Sequence, residues 1–99
     1  MLFILRFTDK PDSLHIREKH YSAHIAWLDA HADSVLVAGV MKATADGPNV
    51  AALWIVSAAS SDAALSLSDT DPFWMNGLRA SREVFHYKAH SALEAIKRG

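Results

Sequence analysis

The sequence contains no cysteine, which excludes disulfide bonds, thiolate metal sites and a cysteine nucleophile. It has no excess of charge either, since 10 Lys and Arg residues and 11 Asp and Glu residues give a formal net charge of −1. Because binding to phosphate requires a basic surface, this balance argues against a nucleic-acid partner. No apolar run approaches the roughly 20 residues that cross a bilayer, so we also expect no membrane partner.

The remaining composition is that of a soluble globular domain. Hydrophobic residues make up 51% of the chain and charged residues 21%, which argues against disorder. Residues 1–99 are therefore predicted to form a single domain. The apolar start lacks the basic leader and the cleavage site of a signal peptide, so we interpret it as a strand and expect a cytoplasmic location.

Hydrophobic periodicity divides the chain into alternating strands and helices. Strands are predicted at residues 1–8, 35–41, 50–57 and 82–89, and helices at residues 14–32, 63–67 and 91–98. A spacing of about 100° per residue predicts one buried stripe on the first helix, with His24 on its shoulder. That stripe consists of Leu14, Tyr21, Ile25, Leu28 and Ala32. Gly39 inside the second strand indicates a bulge or a close approach to the backbone.

This β-α-β-β-α-β order predicts an α+β fold of the ferredoxin-like type. In that fold a four-stranded antiparallel sheet carries its two helices on one face. Because the predicted strands are apolar on both faces, the other face must be covered as well. A second copy of the chain is the simplest cover, so we expect a homodimer with the two sheets packed face to face.

His24 and Asp71 are the candidate catalytic residues. In a His–Asp pair the carboxylate fixes the imidazole tautomer and stabilises the imidazolium, while the other ring nitrogen moves a proton. We find no Gly-x-Ser-x-Gly elbow that would indicate a serine nucleophile. The alternative is structural, with His24 at the edge of the core and Asp71 capping a helix. Asp69 is a competing carboxylate.

Six histidines also raise the possibility of a metal site. His20 and His24 are four residues apart on one helix, a spacing at which two imidazoles can share an ion. His31, His86 and His90 are further candidates. The chain lacks the His-Glu-x-x-His signature, and exposed histidines are the commoner explanation, so we predict no metal and no cofactor.

The tryptophans and two arginines have simpler interpretations. Trp27 and Trp54 are expected in the core or an interface, and Trp74, beside Asp71, in the wall of a ligand pocket. Arg79 and Arg82 are expected to be surface charges, with contact to an anionic ligand as the alternative.

Several short motifs occur in the order found in a known family. They are Thr8-Asp9, Arg17, His24 followed by Leu28, Ala38-Gly39, Asp46-Gly47, Asp71-Pro72-Phe73, Gly77-Leu78 and Glu83-Val84. With these motifs the chain resembles the YCII-related proteins, small domains of the dimeric α/β-barrel superfamily. The resemblance implies a His–Asp catalytic dyad at His24 and Asp71, and its Asp-Pro-Phe context favours Asp71 over Asp69.

Together these observations predict a small-molecule enzyme with acid–base chemistry of the dehydrohalogenase, isomerase or lyase type. Its substrate is expected to be a small aromatic or carbonyl compound. The predicted substrate-binding residues are Arg17, Tyr21, Gly39, Phe73 and Trp74. A non-catalytic domain that binds a small ligand or serves assembly is the main alternative, and a flavin-free monooxygenase is a third.

Overall fold

The computed structural model describes residues 1–91. Its elements are β1 (Leu2–Asp9), α1 (Leu14–Ala30), β2 (Val35–Lys42), β3 (Asn49–Ser57), α2 (Ser61–Leu67), a 3-10 turn (Ser68–Thr70), α3 (Pro72–Met75) and β4 (Arg79–Tyr87). This order confirms the predicted β-α-β-β-α-β arrangement, and the short α3 lies where the sequence predicts a single turn at residues 73–78 closed by Gly77. Apart from Ser91, the helix predicted at residues 91–98 lies outside the described residues.

The four strands form one sheet in the order β2-β3-β1-β4. Each pair of neighbouring strands is antiparallel, as the ferredoxin-like arrangement requires. The core joins one face of this sheet to α1 and α2, because Phe3, Leu5 and Phe7 of β1 cluster with Trp27 and Ala64. We call this the inner face and the opposite one the outer face.

Side chains alternate between the two faces along β1, as in any strand with one face buried. Phe7 on the inner face is fully buried, whereas Arg6 points outward and is exposed. One apolar row crosses the outer face on all four strands. It consists of Val37, Ile55, Ile4 and Phe85, which are paired in register. Phe85 is 46% and Val37 37% exposed, so no element among residues 1–91 covers the row at these two positions.

The prediction for the buried side of α1 was wrong. Leu14 and Tyr21 of the predicted stripe are 65% and 53% exposed, whereas His24 and Trp27 are the buried residues of the helix. The reason is the position of α3, which packs against α1 on the side of His24. Tyr21, Ile25 and Leu28 of the stripe instead line an open space between α1 and the sheet, and of these Leu28 also packs against the core.

Two irregularities in the sheet differ from the predictions. No bulge lies at Gly39, since the register of β2 shifts between Val35 and Val37 and between Met41 and Lys42. A Cβ atom at Gly39 would meet nothing within 4 Å, so no other part of residues 1–91 crowds that position.

The second irregularity lies where β4 begins, at Arg79 rather than at the predicted Arg82. Thr8 pairs with Ser81, but the next residue, Asp9, pairs with Arg79, which leaves Ala80 as an extra residue. Such a bulge changes which side chains face the core. Arg79 thereby lies on the inner face beside Phe7, although regular alternation from Ser81 would direct it outward.

Candidate active site

Asp71 is held at the start of α3 by its local sequence. Pro72 at the first helical position restricts the preceding residue to extended backbone, and Asp71 has φ −63° and ψ 127°. Its carboxylate Oδ1 accepts the Phe73 N–H at 3.2 Å, which caps the helix. Gly77, with φ +78°, ends this segment. The position of the carboxylate is therefore set by a rigid turn.

His24 reaches this carboxylate from α1. Its Nδ1 lies 2.6 Å from Oδ1 of Asp71, and its ring stacks on Phe73 with centroids 3.9 Å apart. Both residues are buried, His24 at 7% exposure and Asp71 at 0%. An ionised carboxylate only accepts, so beside one, Nδ1 carries the proton of the neutral ring, and Nε2 is the nitrogen not engaged by Asp71.

A second bond fixes the approach of α1 to this turn. The indole N–H of Trp27 donates to the hydroxyl of Thr70 at 3.0 Å, directly before Asp71. Trp27 also stacks on Trp54 of β3, with ring centroids 5.3 Å apart. One face of α1 thus contacts both the sheet and the segment that carries Asp71, so His24 and Asp71 belong to one packed unit.

His24 lines a cavity of about 230 Å³ between α1 and the inner face at β2 and β3. The wall from α1 is formed by Arg17, Tyr21, His24, Ile25 and Leu28, and the wall from the sheet by Ala38, Gly39, Val40, Ala52, Trp54 and Arg79. Mainly apolar walls with a few convergent polar groups are typical of small-molecule sites. The volume suits a compound of about one ring.

Two arginines in the cavity wall share a single carboxylate. Arg79 Nη1 donates to Oδ1 of Asp9 at 2.7 Å, and Arg17 Nη2 donates to Oδ2 at 2.7 Å. Arg79 is only 5% exposed, so its expected role as a surface charge was wrong. Burial lowers the pKa of Arg79 below its usual value, while the hydrogen bond to Asp9 and the charge of that carboxylate oppose the change.

Four of the five predicted substrate-binding residues lie in the cavity wall or against His24, and the fifth, Trp74, does not. Arg17, Tyr21 and Gly39 line the cavity with His24, and Phe73 forms the stack behind the imidazole. Trp74 is absent from the residues that line it.

Trp74 instead packs against Arg82, whose guanidinium carbon lies 3.8 Å from the centre of the indole. The same guanidinium binds Asp69 at 2.6 Å, so the competing carboxylate is engaged away from His24. The sequence predicted a ligand contact for Arg79 only as the alternative to a surface charge, because only the bulge at Thr8 and Asp9 directs it inward.

Neither a metal cluster nor a membrane helix is found in the described part of the chain. Within residues 1–91 no three His, Asp or Glu side chains lie close enough together to hold a metal ion. His31 stacks on Trp27 and its Nδ1 lies 2.7 Å from the Trp27 carbonyl oxygen. No helix among these residues is long and apolar enough to span a bilayer. The cytoplasmic location stays a prediction.

Comparison with known proteins identifies the relatives of this fold. The family model of the YCII-related domain matches residues 1–88. The chain is also similar to 5-chloro-2-hydroxyhydroquinone dehydrochlorinase (TftG) from Burkholderia phenoliruptrix AC1100, whose structure is a complex with 2,5-dihydroxybenzoquinone. That similarity has 32% identity and a TM-score of 0.78, and covers 89% of this chain and 94% of the other.

More distant structures share the fold alone. SnoaB, a cofactor-independent oxygenase from Streptomyces nogalater, has 15% identity and a TM-score of 0.51, over 94% of this chain and 95% of the other. Protein Atu4242 from Agrobacterium tumefaciens has 18% identity and a TM-score of 0.53, over 94% and 98%. A search of curated proteins gave no significant match.

Proposed function

The chain belongs to the YCII-related family, and from this premise we propose that it is an enzyme that moves protons on a small oxygenated ring compound in the cavity beside His24. The observation that carries the proposal is the buried 2.6 Å contact between His24 Nδ1 and Asp71 Oδ1. It holds the imidazole in one tautomer, in the wall of a cavity of the right size for such a ligand.

In the proposed reaction Nε2 of His24 is the general base. It takes a proton from a hydroxyl group of the substrate, and the Asp71 carboxylate stabilises the imidazolium that forms. For a chlorinated hydroxyquinol, one hydroxyl proton moves through His24 to the carbon that bears chlorine. Removal of a second hydroxyl proton then forms the quinone and expels chloride with the electron pair of the carbon–chlorine bond. The net change is loss of HCl.

The test is chloride release from 5-chloro-2-hydroxyhydroquinone under anaerobic conditions, with and without the protein. We expect His24→Asn and Asp71→Asn to lower kcat roughly 10²- to 10⁴-fold, the range that general acid–base catalysis contributes. His15→Ala, an exposed histidine of the same helix, is the matched control and should leave the rate unchanged. Full activity in either dyad variant would refute the mechanism.

A second candidate function is binding of a small ligand without catalysis. It is favoured by the capping bond of Asp71, since a buried carboxylate that holds α3 has a structural use of its own. In that case both dyad substitutions lower the free energy of unfolding, the ligand still binds and no substrate turns over. The third possibility, a flavin-free oxygenase, predicts a reaction that stops when oxygen is removed.

We also propose that the protein is a homodimer through the outer face of the sheet. The apolar row of Val37, Ile55, Ile4 and Phe85 supports this assembly, because an exposed apolar surface across a whole sheet is costly in water. The Arg6–Glu83 ion pair, at 2.6 Å, lies beside this row and would form part of a polar rim.

A further inference from the structure

The Arg79 side chain is buried where a positive charge has a high free-energy cost. Its side chain is 2% exposed, and the guanidinium carbon lies 4.9 Å from the centre of the Phe7 ring and 5.2 Å from that of Phe73. Aromatic faces attract a cation but accept few hydrogen bonds from it. A buried charge is tolerated when it is paired and its donors are satisfied. Arg79 meets this condition only in part.

The donors of Arg79 are incompletely used. Nη1 donates to Asp9, but Nε is buried and has no hydrogen-bond partner among residues 1–91. Arg79 lines the same cavity as His24. A cationic side chain in the wall of a small-molecule site indicates a ligand with acceptor atoms. Nε itself has less than 1 Å² of accessible surface, so a ligand reaches that nitrogen only if the side chain shifts.

The charges of this wall do not cancel. Arg17 and Arg79 each bind one oxygen of the same carboxylate, Asp9, so the three groups together carry one positive charge. Asp71 supplies a balancing negative charge, since its Oδ1 contacts His24, which is neutral when it acts as a base, and its Oδ2 is buried without a partner among residues 1–91. The site as a whole is therefore neutral, and its positive charge is confined to the arginine wall. Cationic side chains in a partly open cavity with apolar walls attract an anion placed directly against them more strongly than they would in bulk water.

We infer that Arg79 and Arg17 form an oxyanion-binding wall, and that the ligand of the His24 cavity is a ring compound carrying an anionic oxygen, as in a phenolate, enolate or carboxylate. Each guanidinium uses one terminal nitrogen for Asp9, so a ligand oxygen would be bound by the remaining donors of the two arginines. The apolar part of the cavity, formed by Ile25, Leu28 and Trp54, receives the ring. This inference rests on the proposed function, because it gives the substrate class of the same site.

The same geometry explains how the wall would assist proton transfer. When His24 removes a hydroxyl proton, the substrate oxygen becomes negative while it faces the arginines. Fixed cationic donors that are already in place stabilise such a charge at little cost of reorganisation. Arg79 is therefore a substrate-binding residue, and Asp9 a positioning residue that holds both guanidinium groups.

The test compares benzoate with benzamide, two ligands of nearly the same shape of which only the first is charged. Isothermal titration calorimetry on the whole protein should show roughly tenfold or greater preference for benzoate, which falls as salt is added. Arg79→Met should lower the affinity for benzoate by a similar factor and leave that for benzamide unchanged. Arg82→Met, which removes an arginine outside the cavity, should change neither affinity.

Equal affinity for the two ligands, absence of benzoate binding, or an unchanged affinity in Arg79→Met would overturn the inference. If Arg79→Met does not fold, Arg17→Met at the more accessible arginine replaces it, with the same expected direction. The inference and the proposed function are tested by separate measurements, benzoate binding and chloride release. Retained benzoate preference without chloride release by the wild type contradicts only the function, and turnover that depends on His24 with equal binding contradicts only the oxyanion wall.

Discussion

His24 and Asp71 could be chosen from the sequence because the motifs around them resemble those of the YCII-related family, and each has a local signal as well. Asp71 precedes a proline and lies where a helix begins, and His24 lies on a helix with aromatic neighbours. Arg79 gave no such signal. Its direction depends on pairing with Asp9, 70 residues away, and on an extra residue in one of the two strands. Alternation along β4 alone predicts the wrong face for it.

The tautomer of His24 is a prediction at this scale. In the neutral ring we expect the proton on Nδ1, because the Asp71 carboxylate accepts from that nitrogen at 2.6 Å. Long-range ¹H–¹⁵N NMR correlations distinguish the two ring nitrogens directly. Asp71→Asn should reduce the preference for this tautomer, while the spectrum of the exposed His15 stays unchanged. A proton on Nε2 in the wild type would contradict the proposed role of that nitrogen as the base.

At the scale of elements, the strands and helices follow from hydrophobic period and turn residues, so their order was predictable. The buried side of α1 was not. Its apolar stripe looked like the core side, but a helix beside a ligand cavity also presents apolar residues to that cavity. Which of the two surfaces the stripe faces depends on α3, a four-residue helix whose packing the sequence does not reveal.

Gly77 provides a test of how α3 is ended. Its φ of +78° lies in the left-handed region, where a side chain costs about 1–2 kcal/mol. A new Cβ would lie 3.5 Å from Lys10 Nζ, an ordinary contact, so the cost should come from the backbone alone. We expect Gly77→Ala to lower the free energy of unfolding by this amount in urea. Gly77→Asn should cost less, because asparagine tolerates this conformation, and equal stability of all three proteins would disprove the explanation.

At the scale of the whole molecule, the outer face was predictable as partly apolar, since each of the four strands contributes a hydrophobic residue to it, although Arg6 and Glu83 also lie there. What packs against the outer face could not be derived in the same way. A single chain specifies its own contacts through its own hydrophobic pattern, whereas an association also depends on the shape and charge of the surface that meets it. The apolar row of Val37, Ile55, Ile4 and Phe85 indicates where copies meet and leaves their relative orientation open.

Analytical ultracentrifugation tests this association. The wild type is expected at about twice the chain mass of 10.9 kDa. Phe85→Lys should shift it to the monomer, because a charge would be buried in the row at a residue that is 46% exposed in the single chain. Val50→Lys is the matched control, since Val50 is also exposed, at 54%, but lies outside the row. A wild type that sediments as a monomer would exclude the dimer.

The extra residue at Ala80 suggests a route by which the substrate preference of this cavity could evolve. The alternation from Ser81 to Tyr87 is anchored by pairing with β1, and α3 is held separately by Asp71 and Gly77. A one-residue insertion or deletion between these two anchors would be absorbed locally, without shifting either one. It would exchange the side chain presented to the ligand while the dyad and the sheet stayed in place. The segment between Gly77 and Ser81 is thus a point at which related proteins can acquire a new substrate through insertion or deletion of a residue instead of through substitution.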